Sequence, residues 1–102
     1  MLIDKQLNGT TMNLTLIGRL DLSTAPLLEK ELKNSLEGVT ELIIDMKYLD
    51  YISSTGLRIL LQAHNKMAKD GSMLIRNPNK IVMEVFRVTG FDHFLQFEDR
   101  AV

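Results

Sequence analysis

A chain of 102 residues, 45% hydrophobic and 25% charged, is long and apolar enough to bury one core without disulfide or metal staples, which excludes a disordered chain. Its formal net charge of -1 offers no basic field to neutralise a phosphate backbone, so direct nucleic-acid binding is not expected. Cysteine is absent, which removes any thiolate nucleophile, disulfide framework or Cys-based metal site.

No apolar run reaches the roughly 20 residues of a membrane span, and the opening MLIDKQLNGT has neither a basic n-region nor an apolar h-region. The expectation is one cytoplasmic unit over residues 1–102, without membrane insertion, internal repeat or linker. Leu2 to Leu7 reads as a short strand, Asn8-Gly9 as a turn pair tolerating positive φ, and Met12 to Leu16 as a half-buried strand with apolar and polar residues alternating. An N-terminal hairpin follows. Gly18 to Leu22 reads as a loop. Ser23 or Thr24 can then cap a helix carrying Pro26 in its first turn, where a missing N–H costs nothing. Leu28, Leu32 and Leu36 recur every fourth residue and stack on one face, and Gly38 offers a stop.

The run Leu42-Ile43-Ile44-Asp45-Met46 lacks alternation, the pattern of a strand covered on both faces, and is the expected centre of the sheet. Leu57, Leu60, Leu61, His64, Met67 and Ala68 form a helical stripe that predicts a second helix from Ser54 to Lys69, stopped by Gly71. Ser72 to Arg76 is a further strand. Asn77-Pro78 reads as a cap and first-turn pair, with Ile81, Val85 and Val88 as the apolar face of a third helix ending near Thr89-Gly90. Phe94 to Phe97 fits either an edge strand or a packed tail. This order, with right-handed crossovers, predicts an α/β fold with a mixed sheet. It sets Asp50 to Gly56 at the carboxyl ends of parallel strands, where such folds gather their functional residues.

The catalytic inventory is thin, with two histidines and no HExxH, GxSxG, GxGxxG or Walker sequence, and neither a metal site nor a cofactor is expected. His64 falls on the apolar stripe, as a packed or boundary histidine would, and His93 lies near the C-terminus, so neither is placed to activate Ser54. Gly56, inside a first helical turn, costs about 1 kcal/mol relative to alanine. That cost calls for either close approach by a partner or tight packing on the sheet. Ser53, Ser54 and Thr55 supply three hydroxyls where a cap needs one. A phosphate on one of them would meet unpaired N–H groups and the positive end of the helix dipole, favourable by about 0.3–1 kcal/mol and up to about 2. Phosphorylation would then act on a docked partner and leave the fold standing.

These residues resemble a known family. The stretch Leu49-Asp50-Tyr51-Ile52-Ser53-Ser54-Thr55-Gly56-Leu57 is similar to the signature of STAS domains, which comprise the anti-sigma factor antagonists and related domains of sulphate transporters. Gly18-Arg19-Leu20-Asp21, with Ala25 four residues beyond Asp21, resembles their Gly-x-Leu/Ile-Asp loop before the first helix. Element order, length and Asn77-Pro78 also agree, so the resemblance spans essentially the whole chain. It implies a single STAS-like domain, a mixed sheet with an N-terminal hairpin and three main helices packed against it.

The function implied is a switch and not an enzyme. In this family the free domain binds an anti-sigma factor that is also a serine kinase, so that a sigma factor is released to start transcription. Phosphorylation by that kinase ends the interaction, and a serine phosphatase reverses it. By alignment the acceptor is Ser54, with Thr55 and Ser53 as alternatives and Asp21 beside it. The resemblance puts the partner surface on Asp21, Ser23, Thr24, Ser53, Ser54, Thr55, Gly56, Leu57 and Arg58. One departure stands out: the residue before the acceptor is commonly aspartate, and here it is Ser53. Two other function classes stay open. One is a constitutive STAS accessory subunit of a transporter or lipid-trafficking complex, using the same surface without a phosphate cycle. The other is a hydrolase with Ser54 as nucleophile, for which only Asp21 could lie nearby as an acid.

Overall fold

The computed structural model describes residues 1–99. Strands β1 (Leu2–Asn8) and β2 (Thr11–Leu20) form the expected antiparallel hairpin. Gly9 takes positive φ in the Gly9-Thr10 loop, and Asn8 stays in the strand paired with Thr11. There follow α1 (Ala25–Ser35), β3 (Glu41–Ile52), α2 (Ser54–Asp70), β4 (Ser72–Arg76), α3 (Lys80–Thr89), a 3-10 turn (Phe91–His93) and β5 (Gln96–Glu98). The strands lie in the order β1-β2-β3-β4-β5, with β2 through β5 parallel. The fold is therefore α/β, a mixed sheet with β3 at its centre. The segment Phe94 to Phe97 resolves into a buried Leu95 followed by an edge strand.

Alternate strand positions build one core. Met12, Leu14 and Leu16, Leu42, Ile44 and Met46, and Met73 and Ile75 share a single cluster with Leu28 and Leu32 of α1, Leu60 and Met67 of α2, and Val82 and Phe86 of α3. All three helices thus cover the same sheet face. Ile43 is also buried, at 6% exposure, yet stands outside that cluster on the reverse face. The expectation that β3 is covered on both faces is corrected here. Ile43 loses its water to lateral neighbours, since its register partners Asn13 and Leu74 flank it in the middle of the sheet.

Two helical faces are rotated from their expected positions. In α2 the buried residues are Gly56, Leu57, Ile59, Leu60, Ala63 and Met67, while Leu61 and Ala68 are exposed and His64 sits at the boundary against Phe94, ring centroids 5.0 Å apart. Close seating of Gly56 turns the helix so that the row Gly56, Leu60, Ala63, Met67 faces inward. In α3 the buried pair is Val82 and Phe86; Ile81 and Val88 face solvent and Val85 is half-buried. The cause is a shifted cap. Asn79, and not Asn77-Pro78, starts the helix: its side-chain oxygen accepts from the Val82 N–H, and its amide donates to Leu49 O of β3. Asn77 takes a left-handed conformation, and its N–H continues the pairing to Glu98 O.

Gly18 to Leu22 is not all loop. Strand β2 continues through two register irregularities, with Gly18 at φ 109, so that Arg19 pairs with Tyr51 and Leu20 with Ile52. Asp21 is thereby delivered at the carboxyl end of β2, level with the end of β3. At the far end of α2, a Cβ added at Gly71 would lie 1.9 Å from Thr40 O, the acceptor of the Ser72 N–H. No side chain fits against that fixed carbonyl. Gly71→Ala is expected to lower unfolding stability by about 3 kcal/mol or more, measured by urea denaturation followed by circular dichroism.

Candidate functional site

The site grows from the paired ends of β2 and β3. The Ser53 N–H donates to Leu20 O at 2.9 Å, which binds the end of β3 to the end of β2 one residue before Asp21. Helix α2 starts at once, with Ser53 as its N-cap in extended conformation, its hydroxyl accepting from the Gly56 N–H at 3.3 Å. The Leu57 N–H returns to Ser53 O at 3.0 Å. Ser53 is consequently a structural hydroxyl.

Gly56 is buried because the helix start presses on the sheet. A Cβ there would meet Leu20 Cγ at 2.7 Å and Ile52 Cγ1 at 3.1 Å. Of the two readings left open by the sequence, tight packing is the one the geometry supports. Leu57 is likewise only 5% exposed. Of the nine expected surface positions, Gly56 and Leu57 therefore turn inward and underpin the site, and the outward residues of this turn are Ser54 and Arg58, with Thr55 half-buried. Among the described residues no hydrogen bond holds the Ser54 hydroxyl.

Asp21 organises the facing loop. One carboxylate oxygen accepts from the Ser23 hydroxyl at 2.8 Å and from the N–H groups of Ser23 at 3.0 Å and Thr24 at 3.2 Å. Thr24 occupies the N-cap position of α1 without bonding into the helix; its hydroxyl accepts from the Asp21 N–H and donates to Arg19 O at 2.7 Å. The Ser23 hydroxyl, followed by the backbone N–H groups of Thr24 and Ser23, holds the Asp21 carboxyl below its ordinary pKa against the cost of desolvation. That support is full above the ordinary aspartate range and is lost as pH falls through the depressed value.

Several neighbours carry no distinctive sequence signal. The Arg19 guanidinium lies 4.5 Å from the Tyr51 ring centroid and 3.6 Å from the second Asp21 oxygen. Leu22 and Leu27 are exposed at 75% and 52% beside this loop. Neither histidine is at the site, as His64 rests on Phe94 and His93 stands in the 3-10 turn. No group of three or more potential metal ligands occurs among the described residues, and none of their helices is long and apolar enough to cross a membrane.

The model of the STAS domain family matches residues 3–101. The chain belongs to that family. It is 24% identical over 100 residues to the anti-sigma-B factor antagonist of Bacillus subtilis, covering 97% of this chain and 92% of that one. It is 33% identical over 76 residues to the putative anti-sigma factor antagonist BtrV of Bordetella bronchiseptica, covering 72% of this chain and 66% of that one. Among solved structures, unphosphorylated SpoIIAA superposes with a TM-score of 0.85 at 20% identity, covering 98% of this chain and 89% of that one. The phosphorylated form of Bacillus SpoIIAA does so with a TM-score of 0.78 at 19% identity, covering 98% and 92%.

In this STAS domain the serine standing where aspartate is common has a physical account: serine and aspartate are near-equal helix caps. Ser53→Ala should cost about 1 kcal/mol of unfolding stability and Ser53→Asp close to none, compared by thermal denaturation. Gly56→Ala should destabilise by about 1–2 kcal/mol, because the clash with Leu20 exceeds the gain in helix propensity; a stability equal to wild type in urea titration would contradict the seating of α2.

Proposed function

We propose that this chain is a phosphorylation-controlled anti-sigma factor antagonist: a cytoplasmic domain without catalysis of its own that binds an anti-sigma factor with serine kinase activity and so frees a sigma factor. Ser54 is the switch. The observation that carries this reading is the division of labour among the three hydroxyls: Ser53 is occupied as a cap, Thr55 is half-buried, and Ser54 alone is exposed with no hydrogen bond among the described residues. Membership of the STAS family and the names of two curated relatives as antagonists support it, as does a known phosphorylated form of the same fold.

In the modifying step, Ser54 Oγ attacks the γ-phosphorus of a nucleoside triphosphate held by the kinase. An Oγ–P bond forms, the bond to the diphosphate breaks, and the hydroxyl proton passes to a base on the kinase. A serine phosphatase returns the hydroxyl. The partner surface comprises Ser54, Arg58 and Thr55 at the start of α2, with Asp21, Ser23 and Thr24 in the loop after β2, whose end is paired to the end of β3.

Incubation of the protein with its cognate anti-sigma kinase and ATP is expected to add one phosphate at Ser54, mapped by mass spectrometry. Ser54→Asp should weaken binding to that kinase about tenfold or more, near 1.4 kcal/mol, and Ser54→Ala should bind as wild type by calorimetry. Phosphate found only elsewhere, or a pull-down that recovers transporter subunits and no kinase, would overturn the proposal.

A further inference from the structure

Arg58 lies four residues beyond Ser54 in α2, and both are exposed. Helical side chains lean toward the N-terminus, so a residue at i+4 covers the surface of residue i, with Cβ atoms about 5–6 Å apart. That spacing puts the Ser54 hydroxyl within reach of the Arg58 guanidinium.

The other arginines among the described residues are engaged. Arg19 lies over Tyr51 and beside Asp21, Arg76 pairs with Glu98 at 2.9 Å, and Arg87 pairs with Glu84. Arg58 has no ion pair, hydrogen bond or ring contact among the described residues. An unengaged guanidinium one turn from an unengaged hydroxyl is a place where a new anion would be received.

We propose that Arg58 closes on the phosphate carried by Ser54. The inference rests on the phosphorylation proposed above and adds its consequence in this chain. A phosphoserine brings about -1.5 to -2 charges and three acceptor oxygens, and the planar guanidinium fork matches them in a charge-assisted pair. Phosphorylation then alters the surface twice, adding a dianion and engaging the Arg58 guanidinium, which is unpaired among the described residues. The local charge reverses from about +1 to between about -0.5 and -1. A partner surface that meets Arg58 with a carboxylate loses its attraction and gains repulsion in the same step.

The test uses the full chain with phosphoserine installed at position 54 during translation, its phosphate titrated by phosphorus NMR at about 0.15 M salt. The midpoint should lie roughly 0.15 to 0.4 unit lower in this protein than in its Arg58→Gln variant. Lys66→Gln removes the same charge about 12 Å farther along the helix, beyond the Debye length of about 8 Å, and should titrate as the parent. Proton spectra of the same samples verify folding. Equal midpoints with and without Arg58, or an equal shift from Lys66→Gln, overturn the pairing. Because no kinase is used, that failure is separate from failure of the proposed function, which follows if the kinase leaves Ser54 unmodified.

Discussion

The seat of Gly56 on Leu20 and Ile52 is the contact on which the rest of the site depends. Leu20 ends β2 and Ile52 ends β3, and the two are register partners. Only a residue without a Cβ lets the first turn of α2 come down on both. That approach sets which face of α2 is buried, brings Ser53 into capping position and leaves Ser54 and Arg58 facing outward. The same pairing carries Asp21 to the level of Ser53 through the hydrogen bond from Ser53 N–H to Leu20 O. One close contact therefore fixes a helix, a loop and an exposed hydroxyl relative to one another.

Around this seat the polar residues divide into those consumed by the fold and those left available. Asp21, Ser23 and Thr24 bond chiefly to one another and to the backbone of their own turn, which stiffens the loop and keeps its carboxylate charged. Ser53 is consumed as a cap. Ser54 and Arg58 remain without partners among the described residues, which is what a surface open to modification and docking requires. Rigid surroundings and unengaged groups complement each other: binding at a preorganised edge avoids the entropy of ordering a loop.

The one-sided packing of the helices explains why the site sits at an edge. With β2 to β5 parallel and progressing in one direction, each right-handed crossover returns its helix to the same sheet face. The carboxyl ends of β2 and β3 consequently open onto the starts of α1 and α2 together. Asn79 anchors the start of α3 to Leu49 of the same β3 extension, so the third helix braces the strand that leads into Ser53.

Hydrophobic periodicity and turn chemistry alone determined the order of elements from β1 to α3, the hairpin, the second helix to within one residue of its end, and the place of Ser53 to Gly56 at a helix start. These are local properties, written in spacings of two and of three to four residues. The motif resemblance singled out Ser54 among three hydroxyls that local chemistry could not rank. Tertiary structure decided the rest. The inward face of α3 followed from Asn79 reaching Leu49, a contact thirty positions away in sequence, so Ile81 and Val88 turned outward although their spacing was equally helical. Ile43 was buried by its neighbours in the sheet and not by a second layer of helices. The assignment of Ser53 to the fold and Ser54 to the surface required knowing where Leu20 lies, because a glycine's reason for being a glycine is set by what stands where its side chain would have been.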